Sequence, residues 1–231
     1  QAGRPPEQLM MPYWPDTIRS LPNELFRCEL FNARNRQVPR EYIKQKELAT
    51  YGPLTVIYTG EELRQVPDAD VMLQLVHLAR SYGPEEWITF KRKEMLDALG
   101  WSTSKKDYDR LLETLTRLNA TTVRIHSDRV DELACQHRIG EDHGFGPDQQ
   151  AGVAFSLVSK FAYMGDSGKP ARVWKVKLDK ELIALFADQQ FTMVDWEIRR
   201  QLSPFGKWLH SYLSSHRKPL PFKIEMVARP S

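Results

Sequence analysis

Apolar positions recur at helical spacing in three consecutive stretches, with strand-like alternation around them. Over 68–82, Val71, Leu75, Leu78 and Tyr82 fall three and four residues apart, joined by Met72 and Ala79. This spacing predicts a helix, with Asp68 or Asp70 placed to cap it and Gly83-Pro84 to stop it. Trp87–Phe90 reads as a short strand. From Lys91 to Leu99 the pattern turns Met95, Leu96 and Leu99 inward, and Gly100 takes the left-handed position after the helix. Ser102 or Ser104 then caps a third helix running to Leu118, whose stripe is Tyr108, Leu111, Leu112, Leu115 and Leu118. Strands are predicted at Leu54–Thr59, Thr121–His126, Phe155–Met164 and Ala171–Leu178, the last two joined across Gly165-Asp166-Ser167-Gly168. A helix follows at Lys180–Phe186.

The ends are less regular. Residues 1–20 carry Gly3, Pro5, Pro6, Pro12 and Pro15 and read as a flexible arm, anchored at most by Tyr13 and Trp14. Leu21–Phe31 has apolar residues at 21, 25, 26, 30 and 31 and fits helix or strand. Asn32–Arg40 is an exposed basic loop with Arg34, Arg36 and Arg40 around Pro39. Near the C-terminus, Trp196–Leu202 is helical in pattern. Ser203-Pro204 opens a further helix with Trp208, Leu209, Tyr212 and Leu213 on its apolar face. Phe222–Val227 is strand-like.

Three helices followed by a β-hairpin make a winged helix, and a Gly-Trp-Ser-Thr turn joins the second helix to the third. The expected fold class is therefore α+β: one complete winged helix and a partial second one. The expected division is a flexible arm at 1–20, an extension at 21–60 packing on the first domain, and a first winged-helix domain at 61–188. That domain contains a polar loop at 136–152, and the start of a second, truncated winged helix occupies 189–231.

Composition narrows the function classes. The chain has 231 residues, 41% hydrophobic and 27% charged, with a formal net charge of +3. No apolar run approaches the roughly 18 residues of a membrane span, so no membrane partner is expected. Two cysteines, Cys28 and Cys135, exclude a disulfide scaffold and point to a reducing cytoplasm. The charge is unevenly placed. Gly83–Val130 is nearly neutral, whereas Trp196–Ser231 has seven basic and two acidic residues.

Candidate chemistry follows the same lines. Cys135, His137, Glu141, Asp142 and His143 offer zinc-ligand atoms without a second cysteine pair and read as a solvated loop, so no metal is expected. Glu61-Glu62 and Glu85-Glu86 read as caps on a solvated face, and no hydrolase, metalloprotease or nucleotide fingerprint is present. Neither an enzyme nor a cofactor is expected. Nucleic-acid binding has better support. A helix entering a major groove needs small polar residues at its N-terminus, with cations alongside for phosphates. Ser102, Thr103, Ser104, Lys105, Lys106 and Arg110 meet that description. Lys91, Arg92 and Lys93 stand at the start of the preceding helix, and Arg124 lies near what reads as the first wing strand. Arg199, Arg200, Lys207, Arg217 and Lys218 form a second basic group. Ordinary solvated surface charge is the alternative for all of them.

Ordered motifs over about residues 21–225 resemble the TrfA family of plasmid replication initiators. One stretch is Leu30-Phe31-x-x-Arg34-Asn35-x-x-Val38-Pro39-Arg40, followed by Tyr58-Thr59-Gly60-x-Glu62-Leu63-Arg64. A second runs from Ile88-Thr89-Phe90 through Leu99-Gly100-Trp101-Ser102 to Ser127-Asp128-Arg129-Val130. A third holds Leu185-Phe186-Ala187, Trp196-Glu197, Leu202-Ser203-Pro204 and Ser214-Ser215-His216-Arg217. The resemblance implies sequence-specific binding of double-stranded DNA at plasmid origin repeats. It also implies recruitment of host replication proteins (sliding clamp, initiator, helicase) and a possible homodimer. Ser104–Leu118 would be the reading helix. Leu30 and Phe31 would match a clamp-binding pair, with a core contact as the equal alternative. Gln201-Leu202-Ser203-Pro204-Phe205 has a similar look in a helical context. The family continues past Phe222–Val227 into another helix pair and wing, which this chain replaces with Met226–Ser231. The alternative function is a protein-interaction or regulatory module that dimerises with a full-length initiator or occupies the clamp.

Overall fold

The computed structural model describes residues 11–50, 54–83, 86–127, 153–164, 170–186 and 190–216. They form an α+β fold of small sheets, antiparallel except for one parallel pair of strands, around one buried helix. The elements are β1 (Ile18–Pro22), α1 (Asn23–Phe26), β2 (Phe31–Asn32), β3 (Tyr42–Leu48), β4 (Thr55–Glu61) and β5 (Leu63–Arg64). An irregular turn, Gln65–Ala69, leads into α2 (Asp70–Ala79). Then come β6 (Ile88–Lys91), α3 (Arg92–Leu99), α4 (Lys105–Asn119), β7 (Thr122–His126), β8 (Val153–Phe155), β9 (Val158–Met164) and β10 (Pro170–Leu178). The last of the described elements are α5 (Lys180–Ala184), β11 (Phe191–Asp195), α6 (Trp196–Gln201) and α7 (Pro204–Ser215).

α2 is the centre of the core. Every residue in it except Leu78 is buried. A helix apolar nearly all round is stable only when neighbours cover every side. Neither Asp68 nor Asp70 caps it: Ala69 holds the N-cap position without a side-chain bond. Both carboxylates are drawn instead into buried ion pairs described below. α3 and α4 follow the predicted pattern closely. Gly100 sits at φ 70°, where glycine carries no Cβ penalty, and Leu111, Leu115 and Leu118 are completely buried.

The strand pairing departs from expectation. β6, β10 and β9 form one sheet beside α3 and α4, whereas β7 belongs to a separate sheet of order β3-β4-β7-β8. Phe155–Met164 is not one strand. The chain leaves the larger sheet after Phe155 and enters the smaller one at Val158, pinned at the crossing. There Ser156 Oγ donates to Thr121 O, Leu157 N donates to Thr121 Oγ1, and the Leu157 side chain is fully buried. Arg124 thus lies in mid-sheet, opposite Ile57 and Ala154, and not on a wing. The tail expected over 1–20 is fixed over residues 11–20. Trp14 is 1% exposed, stacked at 5.8 Å on Phe186, and β1 pairs antiparallel with β11. The turn at 165–168, the loop at 136–152, and Phe222–Val227 lie outside the described residues.

The β1 region meets α2 at His77. Arg80 donates to His77 Nε2 at 2.9 Å, and Asp16 Oδ1 lies 3.5 Å away. Burial, then the charges of Arg19 and Arg80, push the imidazole down to about 4, against the pull of Asp16. An unfolded chain protonates this histidine near pH 6.5, and the folded one resists until about pH 4. The resulting stability is complete above pH 6.5 and drains away as pH falls toward 4. His77→Gln is expected to lose less stability than the unaltered chain between pH 7 and pH 4.5, read by urea midpoints. Parallel losses would remove His77 as the cause.

Candidate nucleic-acid interface

α4 owes its start to a local carboxylate–hydroxyl cap. Ser104 Oγ accepts from Asp107 N at 3.3 Å, and the Ser102 and Ser104 hydroxyls both donate to Asp107 Oδ2. The Ser102 hydroxyl is the main cause that holds the Asp107 carboxyl below its usual range. Capping therefore engages the two serines, while Thr103 just before the cap and Lys105 and Lys106 on the first turn stand exposed. Arg110 lies over the Trp101 ring at 4.0 Å, and Arg92 lies over Tyr108 at 4.4 Å, so both guanidinia are held by stacking. Lys91 is exposed and pairs with Glu94 at 2.7 Å; Lys93 is exposed beside it.

One face of α4, from Lys105 to Arg117, forms one wall of a groove of about 1620 Å³. The opposite wall is the loop Ala33–Arg40, and Ser203, Pro204 and Phe205 at the start of α7 close one side. Eight basic and four acidic residues line it. Counting the buried carboxylates of Glu62 and Asp68 behind it still leaves the cations ahead, so the groove favours an anionic guest. The loop was legible as basic and exposed; its place opposite α4 was not, because only tertiary packing creates it.

Two buried acids set that loop. Asp68, fully buried, accepts from Arg40 at 2.8 Å and from Arg117 of α4 at 3.0 Å. Glu62, 2% exposed, pairs with Arg64 at 2.6 Å and with Arg34 at 3.1 Å. One end of the loop is thereby tied to α4 and the other to β5. A buried carboxylate is tolerated only with such partners.

The second basic group divides. Arg199 is completely buried: its Nε donates to Asp70 Oδ1 at 3.0 Å, and its other nitrogens reach Gln65 Oε1 and Ser211 Oγ. Lys207 is buried too, and its Nζ bonds Asp70 Oδ2. Neither can meet a phosphate in this conformation, because the same acid that failed to cap α2 holds both. Arg200 is exposed, pairs with Glu197 at 3.2 Å and reaches over Gly100. Arg217 and Lys218 lie outside the described residues. α7 also turns differently from expectation. It buries Lys207, Ser211, Tyr212 and Ser215, and leaves Leu213 44% exposed.

Leu30 and Phe31 are each 2% exposed. β2 pairs parallel with β5, placing Phe31 opposite Leu63 inside the core, so no exposed Leu-Phe pair exists there. Phe205 in Gln201–Phe205 is 44% exposed. Among the described residues no three His, Cys, Asp or Glu side chains are grouped to hold a metal, and no helix is long and apolar enough to cross a membrane.

Comparison with known proteins fits this picture. The fold is similar to the crystal structure of domain 2 and domain 3 of RctB, with a TM-score of 0.56 at 13% identity over 85% of this chain and 71% of that one. The sequence is 35% identical over 213 residues to the plasmid replication initiator protein TrfA of Escherichia coli. That alignment takes in 92% of this chain and 50% of the relative, so the chain spans about half the length of the curated relative it matches. The profile of the family described as TrfA protein matches residues 8–229. The chain belongs to the TrfA family.

Proposed function

We propose that this chain is a sequence-specific binder of double-stranded DNA that acts in initiating plasmid replication at origin repeats. The observation that carries the reading is the exposed start of α4, with Ser104, Lys105 and Lys106 along a groove rich in cations. A helix N-terminus with small polar residues and flanking cations suits entry into a major groove. In this reading α2, α3 and α4 with the β6-β10-β9 sheet are one winged helix, and β11, α6 and α7 begin a second. The role is non-catalytic and cytoplasmic. It implies host replication proteins (sliding clamp, initiator and helicase) and a second copy of the chain as partners. With Leu30 and Phe31 in the core, Phe205 is the better placed apolar contact for a clamp.

The test is anisotropy titration of a labelled duplex selected from a randomised library, against a scrambled duplex, over a salt series. Selective binding that weakens with salt is expected. Lys105→Ala and Lys106→Ala should each weaken binding to both duplexes and flatten the salt slope by about 0.9 for each phosphate no longer neutralised. Equal affinity for every duplex at every salt concentration would overturn the sequence-specific reading.

A further inference from the structure

The loop Ala33–Arg40 carries a function of its own. Loops of this size and polarity usually move, yet this one is fastened from within. Arg64, 2% exposed, donates to three of its carbonyls: Asn35 O at 2.7 Å, Val38 O at 2.8 Å and Pro39 O at 3.2 Å. The Asn35 side chain accepts from Gln37 N at 3.2 Å, and Val38 N donates to Asn35 O at 3.1 Å, closing a turn with Arg36 within it. Arg34 and Arg40 are used up in holding the loop, through Glu62 and Asp68. Arg36 is not. It stands exposed on the wall of the groove that faces Lys105, Lys106 and Arg110.

Two like charges facing one gap repel unless an anion fills it. Burial is the main cause that depresses the Arg110 guanidinium, and the charge of Arg36 adds to it from across the groove. A structural loop has no need to aim a cation there. A ligand backbone with phosphates would gain from one already fixed in place, since the loop's entropy is spent in folding.

Building on the DNA reading above, we infer that Arg36 is a second phosphate contact, clamping the DNA strand that borders the major groove entered by α4. α4 reads bases, the loop grips the flanking backbone, and Arg64 is the positioning residue that presents Arg36. A phosphate contact carries no sequence information, so its loss weakens all duplexes alike.

The experiment uses the whole chain with the selected and scrambled duplexes, titrated over a salt series. Arg36→Ala, an exposed site, should leave the thermal midpoint unchanged. It is expected to weaken both duplexes by the same several-fold factor and to flatten the salt slope by about 0.9, with Arg36→Lys restoring the slope. Affinity and slope unchanged in Arg36→Ala, while Lys105→Ala weakens binding, would overturn the clamp and leave the DNA reading standing. So would a change confined to sequence preference. Absence of binding by the unaltered chain would overturn the DNA reading, and the clamp with it.

Discussion

Asp70→Ala should be among the most damaging single substitutions in the described residues, lowering unfolding free energy by about 3–5 kcal/mol. The residue answers two buried cations at once, Arg199 at 3.0 Å and Lys207 on its other oxygen. All three side chains are within 7% exposure. Burial already drives the Arg199 and Lys207 ionisations down, and Asp70 opposes that in both. Removing the carboxylate leaves two like charges facing each other out of water. At this chain length the expected loss is a fall in thermal midpoint of roughly 6–20 °C.

The triad carries one more positive than negative charge, which makes the pattern of variants diagnostic. Lys207→Met leaves a matched Asp70–Arg199 pair and should cost far less than Asp70→Ala. The double variant should be less destabilised than the sum of the two single variants, because the second change relieves part of the repulsion left by the first. Additive losses by urea denaturation would show that Lys207 is not coupled to the site. The mechanical consequence is local. Gln65 and Asp70 come from the α2 side, and Arg199, Lys207 and Ser211 from α6 and α7, so this cluster fastens the C-terminal helices to the core. Trp196 Nε1 donating to Ala98 O and Arg27 Nε donating to Ser215 O are further ties. Loosening of α7 should show as faster amide exchange there.

How far the sequence could be read depended on where each property resides. α3, the Gly100 turn and α4 were legible because helical spacing and caps are local, and Met95, Leu96, Leu99, Leu111, Leu115 and Leu118 are buried as their spacing requires. The partner of β7 was not, since nothing local in Thr122–His126 distinguishes a wing from a sheet with β4. The split at Ser156-Leu157 was invisible for the same reason: Thr121, 35 residues earlier, makes the bonds that bend the chain. Arg199 looked like surface because arginine usually is. Its spacing carried a hint, three residues after Trp196 and so on the same buried face of α6. Lys207, Ser211 and Ser215 form a similar hidden stripe on α7. Lys207 packs inward because Asp70 waits there, and Ser211 because Arg199 does, facts no window around them contains.

Phe31→Ala is expected to cost about 3–5 kcal/mol, the range for emptying a buried phenylalanine site. The ring is 2% exposed, and its strand is held by β5 and by Gln65. β5 pairs with it in register, and Gln65 Nε2 donates to Phe31 O at 2.6 Å. Gln65 in turn accepts from Arg199 at 2.8 Å, so the cavity would open beside the ionic cluster and give it room to relax. Leu30→Ala, also at 2% exposure, belongs in the same range of about 2–5 kcal/mol. The two readings of this pair separate cleanly. A surface contact for another protein predicts stability within about 0.5 kcal/mol of the unaltered chain, with partner binding abolished. A core residue predicts a lower urea midpoint with the slope unchanged, and a milder loss in Phe31→Leu, which refills most of the volume. Binding defects in either alanine variant would then follow from the lost fold and scale with it. An unaltered urea midpoint in Phe31→Ala would take the ring out of the core and return the pair to the surface reading.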